Sequence, residues 1–208
     1  MGKQLELYEK YFVKNNFERL GLFKLLRDEF DIRSALYLGS FLHITPAFVF
    51  PKTVFVDSDR RVQKFYADPE IRKMVKSKKQ YKSEADFIGI QQNYEKTNLL
   101  DEDSFDLLIS QYAGFVSQAG KRYLKNNGIL IVNNSHGDAS MAFLDQDYQL
   151  VGVINHSNGN WRYSSKNLGD YFVPKKPPHP SVEQIKSVMR GVVYTKSAGI
   201  YVFKLSKD

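Results

Sequence analysis

The chain has 208 residues, no cysteine and a formal net charge of +7 at pH 7. That length suits one α/β domain with a substantial core and is short for two, while the lack of cysteine excludes disulfides, thiolate metal sites and a cysteine nucleophile and fits a reducing compartment. The four histidines, His43, His136, His156 and His179, show no metal-ligand spacing, and no apolar run reaches the roughly 18 residues of a membrane span. No metal and no membrane partner are therefore expected. The opening Met1-Gly2-Lys3-Gln4-Leu5-Glu6 has no signal-peptide apolar core, so the expected location is cytoplasmic.

Apolar residues at Leu5, Tyr8, Phe12, Phe17, Leu20, Phe23, Leu26 and Phe30 fall at helical spacing with a break near Asn15-Asn16, which predicts helices over residues 3–30. Two consecutive apolar runs follow, Ala35–Leu38 and Thr53–Val56, without the polar alternation of a half-exposed strand. Such runs suit strands covered on both faces, as in a parallel sheet. The first ends in Gly39-Ser40 and the second in Asp57-Ser58-Asp59. A glycine that admits close backbone approach, with an acid at the next strand end about 20 residues on, is the polarity of a nucleoside-binding βαβ unit. Thr45 can cap a short helix opening at Pro46, and a further helix is expected over Glu70–Val75 after Pro69.

The basic cluster Arg72-Lys73, Lys76, Lys78-Lys79 and Lys82 reads either as a solvated helix and loop or as a nucleic-acid contact across residues 72–82. Phe87–Ile90 is the third strand, followed by the polar Gln91-Gln92-Asn93-Tyr94-Glu95. The fourth, Phe105–Ile109, ends at Ser110-Gln111-Tyr112, and after a helix over Phe115–Lys125 the fifth, Ile129–Val132, ends at Asn133-Asn134-Ser135-His136-Gly137-Asp138. Ligands of open parallel sheets bind at the carboxyl ends of strands, so these polar ends point to one site. Tyr148–Ile154 and Gly199–Leu205 complete the strands, with a helix over Ser181–Gly191 before the last, and the long connection 155–180 reads as a lid or a mobile loop.

In series, Leu36-Tyr37-Leu38-Gly39, Val54-Phe55-Val56-Asp57, Phe105–Ser110 and Asn127–Val132 resemble the class I S-adenosylmethionine-dependent methyltransferases. The resemblance covers roughly Ser34 to Val132 and departs at Gly39-Ser40-Phe41-Leu42-His43, which holds one glycine. It implies a doubly wound, mostly parallel seven-stranded sheet with an antiparallel last strand, within one α/β domain over 1–208. It further implies S-adenosylmethionine as cofactor, held by Gly39, Ser40, Asp57 or Asp59, Asn93 and Ser110, with Asn93 as the adenine contact. His136 is the candidate base and Tyr112 and Ser110 the orienting groups; alternatively His136 only bonds to Asp138 within its turn.

A nicotinamide dehydrogenase is excluded because Phe41 and Ile44 stand where G-x-G-x-x-G needs glycines, and neither a P-loop nor a G-x-S-x-G elbow is present. The amino-methylating tetrad of the resembled family is replaced by Ser110-Gln111-Tyr112-Ala113, which favours a small-molecule acceptor over a nucleic-acid base. The rival reading is a non-catalytic binding or assembly protein that retains the fold.

Overall fold

A computed structural model describes residues 2–207. The chain divides into two compact units, the first ending at Leu99 and the second beginning at Leu100. In the first unit α1, Lys3–Tyr8, runs into a π-helical turn, Glu9–Val13, and the sequence then turns into α2, Leu20–Glu29. Of the residues at helical spacing, Tyr8, Phe12, Phe23 and Leu26 are buried, whereas Leu5, Phe17, Leu20 and Phe30 are partly exposed; Leu22, outside that set, is buried as well. Strand β1, Ser34–Leu38, pairs in parallel with β2, Lys52–Asp57, and β2 pairs in parallel with β3, Asp86–Gln91.

All five residues of β1 and Thr53–Val56 of β2 are buried, as unalternated apolar strands require. Strand β3 lies at the end of the order β3-β2-β1 and leaves Ile88 half exposed. Between β2 and β3 lie α3, Val62–Ala67, and α4, Pro69–Lys78. Asp68 caps α4 by accepting the Glu70 N–H at 2.9 Å, and Pro69 takes the first position, where a missing N–H is harmless. From α3, Tyr66 stacks on Phe55 at 4.5 Å. Gly89 is the β3 partner of Phe55, and a Cβ there would come within 2.1 Å of the Tyr66 ring, which accounts for a glycine inside a strand. Thr45 opens a 3₁₀ turn, Thr45–Phe48, as its first residue rather than as its cap, with its hydroxyl 2.8 Å from that of Tyr8.

The second unit contains β4, Phe105–Ser110, α5, Val116–Gly120, β5, Leu124–Val132, and α6, Asp138–Leu144, followed by β6, Tyr148–Ser157, β7, Asn160–Ser164, α7, Val182–Val188, and β8, Ile200–Leu205. The order is β4-β5-β8-β6-β7, with β4 and β5 parallel and every later pairing antiparallel. The described residues thus form eight strands. The additional one is β7, inside 155–180, joined to β6 by a two-residue turn in which Asn158 and Gly159 have φ of 50° and 76°. An Asn-Gly pair supplies the two positive φ angles of the hairpin turn that follows strand twist. Further along the same stretch, Tyr171 and Phe172 are buried, and Phe172 lies 4.6 Å from Tyr201. The helix expected over Phe115–Lys125 is shortened to α5 and a 3₁₀ turn, Lys121–Tyr123, because β5 already begins at Leu124.

His43 is a core histidine of the first unit. Its ring stacks on Phe12 at 4.7 Å, Nε2 lies 2.9 Å from the Glu18 carbonyl, to which it donates, and Nδ1 lies 3.3 Å from the Tyr37 hydroxyl. Burial pushes its pKa down to about 3, against the Glu18 carbonyl, which raises it; the nearby Arg19 charge lowers it further. Between that value and the ordinary 6.5 the unfolded chain binds a proton that the folded one refuses. Stability from this group is therefore lost as pH falls through that window. Denaturant titrations of wild type and His43→Gln from neutral pH down to about pH 4.5 should show a steeper loss in wild type, because only the imidazole carries the linkage. Parallel slopes would assign the acid sensitivity elsewhere.

Candidate functional site

At the strand ends of the first unit, Gly39 and Phe41 both have left-handed backbones, with φ of 67° and 48°. A non-glycine residue there needs a compensating interaction. Asp57 supplies it: one carboxylate oxygen accepts the Phe41 N–H at 2.8 Å and the other accepts the Asp59 N–H at 2.8 Å. Gly39 N–H meanwhile donates to the Val56 carbonyl at 2.8 Å, and Ser40 is buried with its hydroxyl donating to the Phe41 carbonyl at 3.3 Å. The Phe41 ring meets Tyr11 edge-on at 5.1 Å and has the Arg61 guanidinium 4.6 Å from its centre. Arg61 forks onto Asp59 with bonds of 2.8 and 2.7 Å, which hold the Asp59 carboxyl below its usual range.

Asn93 is exposed and caps a 3₁₀ turn, accepting the Glu95 N–H at 2.9 Å. The residue before it was not anticipated. Gln92 N–H donates to the Asp57 carbonyl at 2.9 Å, and its Oε1 is buried without a hydrogen-bond partner. A buried acceptor with nothing to accept is costly in a closed core and is the usual mark of a place where a ligand or water donates.

In the second unit Ser110, at the end of β4, donates to Asp138 Oδ2 at 2.5 Å, and Ser117 adds its hydroxyl at 2.5 Å and its N–H at 3.0 Å. Asp138 opens α6 after the left-handed Gly137 and is only 2 % exposed. His136 does not bond to Asp138; its Nδ1 lies 3.0 Å from the Ser135 hydroxyl, which donates to Asn133 Oδ1 at 2.7 Å. Tyr112 stands half exposed with φ of 62°. A second chain of hydrogen bonds runs from His179 to Tyr194 at 2.8 Å, on to Ser140 at 2.7 Å and to Asn134 at 3.0 Å. It pins residues 179 and 194 onto α6.

Within the basic stretch, Arg72 lies over the Phe87 ring, Lys78 lies 3.7 Å from Glu18, and Lys79 donates to the Lys82 and Ser83 carbonyls. Half of its cations are thus turned to the protein's own groups. Among the described residues no group of three or more His, Asp or Glu side chains is placed to hold a metal ion, and no helix is long and apolar enough to cross a membrane.

No family model and no curated protein matches the sequence. Solved structures match the fold. A methyltransferase from Geobacter sulfurreducens has a TM-score of 0.53 at 13 % identity, covering 100 % of this chain and 90 % of its own. A protein from Thermotoga maritima, described as an S-adenosylmethionine-dependent methyltransferase and possible histamine N-methyltransferase, gives 0.52 at 13 % identity over 98 % of this chain and 96 % of its own. A cofactor-bound protein from MTB gives 0.51 at 9 % identity, with coverage of 92 % and 81 %. The α/β arrangement, with parallel early strands and antiparallel last ones, is the Rossmann-like fold of the S-adenosylmethionine-dependent methyltransferases.

Burial pushes the Asp138 carboxyl from 3.8 up to about 6, against its bonds from Ser110 and Ser117, which hold it down. Between those values the folded state keeps a proton that the unfolded chain has lost, so its stability falls as pH rises through the window. Asp138→Asn presents one acceptor where the carboxylate had two, leaving a buried donor unpaired at a cost of about 1–3 kcal/mol. That penalty should be larger near pH 4 than near pH 7, by about 2–3 kcal/mol, since each pKa unit is 1.36 kcal/mol. Urea denaturation of both proteins at the two pH values measures it, and a penalty independent of pH would show that the carboxyl titrates alike in both states.

Proposed function

We propose that the protein is an S-adenosylmethionine-dependent methyltransferase acting on a small-molecule acceptor, with the nucleoside of the cofactor held by the first unit. The observation that carries this reading is the orphaned Oε1 of Gln92, a residue whose backbone N–H is bonded to the Asp57 carbonyl at the end of β2. The donor set fits a nucleoside. Each Asp57 oxygen uses one of its two acceptor positions on a backbone N–H and keeps the other for a ribose hydroxyl. Gln92 Oε1 would accept from the adenine exocyclic amine, with exposed Asn93 as the neighbouring amide. Gly39 and Ser40 provide the turn after β1, with both N–H groups on the carbonyl of Val56, the residue before Asp57.

When bound, the cofactor supplies an electrophilic methyl group for in-line displacement, which leaves the protein to orient the nucleophile and remove its proton. His136 is the base in this proposal: with Nδ1 beside the Ser135 hydroxyl, Nε2 is the nitrogen left to take a proton. Tyr112 and Ser110 serve as orienting groups, Ser110 through its bond to Asp138. A small acceptor is preferred to nucleic acid because Arg72, Lys78 and Lys79 are engaged within the protein.

One observation favours the second reading, a non-catalytic protein of the same fold. The Phe41 N–H, which a ligand-facing turn would leave open, is already bonded to Asp57. Calorimetry with S-adenosylhomocysteine separates the two. Methyltransferase predicts binding by wild type, roughly 10- to 150-fold weaker in Asp57→Ala, since a bond to a charged group is worth about 1.5–3 kcal/mol. Gln92→Ala should weaken binding about fivefold to tenfold without loss of thermal stability, because it removes an acceptor that has no partner in the protein. Absence of heat for wild type at millimolar ligand would leave the non-catalytic reading.

A further inference from the structure

Beside the fork of Asp59 and Arg61 the first unit has an open depression of about 710 Å³, lined by Lys3, Gln4, Leu7, Asp59, Arg60, Arg61 and Lys64. Its volume lies within the range of small-molecule sites. Four cations face a single carboxylate, and that carboxylate is already forked to Arg61. The side chains of Lys3, Arg60 and Lys64 form no ion pair or hydrogen bond among the described residues. The Arg60 charge helps to lower the Asp59 carboxyl, but one carboxylate does not balance four cations; like charges gathered in this way repel one another, and an anion relieves them. A second observation is independent of charge: Gln4 is 5 % exposed, and its Oε1 is buried with no hydrogen-bond partner. Such an acceptor calls for a donor, and a fully ionised phosphate has none; a hydroxyl group does.

We propose that this depression binds a small hydroxylated phosphate ester, with Lys3, Arg60 and Lys64 on the phosphate and Gln4 accepting from a hydroxyl. The Asp59 carboxylate in the lining opposes a continuous polyanion, so the site takes a single phosphate rather than a stretch of nucleic-acid backbone. The inference is independent of whether S-adenosylmethionine binds at Asp57.

The test is calorimetry at about 0.1 M salt, where the Debye length is near 10 Å, with ribose 5-phosphate, inorganic phosphate, ribose and a short single-stranded oligonucleotide as probes. Ribose 5-phosphate is expected to bind more tightly than inorganic phosphate, and ribose to give no heat. Arg60→Gln with Lys64→Gln should weaken ribose 5-phosphate about tenfold or more, a change of at least 1.4 kcal/mol. These two side chains are exposed, so the thermal transition should stay near that of wild type. Gln4→Leu should reduce the preference for ribose 5-phosphate over inorganic phosphate while leaving inorganic phosphate unchanged. Three results would overturn the proposal: no heat with ribose 5-phosphate at roughly 10 mM, well beyond a useful Kd; equal affinity in the double variant; or an oligonucleotide that binds more tightly than ribose 5-phosphate and loses affinity in that variant. S-adenosylhomocysteine titrated into the same double variant separates failure here from failure of the cofactor reading.

Discussion

The Asp57 carboxylate is the tie on which the upper edge of the first unit depends. A turn whose residues alternate between left-handed and ordinary backbone cannot satisfy its own N–H groups by regular pairing, and buried N–H groups must be satisfied somewhere. Asp57 takes the Phe41 N–H from the turn after β1 and the Asp59 N–H from the turn after β2. One side chain therefore fixes two loops. Through Phe41 it sets the ring against which Arg61 and Tyr11 rest, and through Asp59 it sets the anchor of the Arg61 fork. The same carboxylate keeps acceptor capacity for an outside donor, so in the proposed cofactor site holding the fold and holding a nucleoside would draw on one group.

Strand positions were legible in the sequence wherever burial on both faces removed polar alternation, as in Leu36-Tyr37-Leu38 and Leu107-Leu108-Ile109. The eighth strand was missed although Asn158-Gly159 is a strong local hairpin signal, because the polar residues on either side masked the strands it joins. In the first unit the glycine and the acid were readable from their places after apolar runs. The difference between Asn93 and Gln92 was not: β3 ends at Gln91, and beyond it sequence alone does not say which amide turns inward. Asp138 illustrates a deeper limit. Its partners lie 28 and 21 positions away, at the ends of other elements, so adjacency to His136 was misleading.

Two buried titratable groups act in opposite directions on the stability of this chain. His43 resists its proton when folded and Asp138 holds on to one, each because burial disfavours the charged form. Their windows overlap in mildly acid solution, where one term falls as the other rises. A shallow overall pH profile is therefore compatible with two strong local dependences, and each belongs to a different unit.

The Asn158-Gly159 turn has a practical side. A Cβ added at Gly159 would meet no atom within 4 Å, and the hairpin register is closed by the pair Ser157 and Asn160 just below it. Exposed loop tips of this sort tolerate inserted residues far better than the strands they join. The tip is thus the natural attachment point for a fluorophore or an epitope in a cysteine-free chain, where one introduced thiol would be the sole site of labelling.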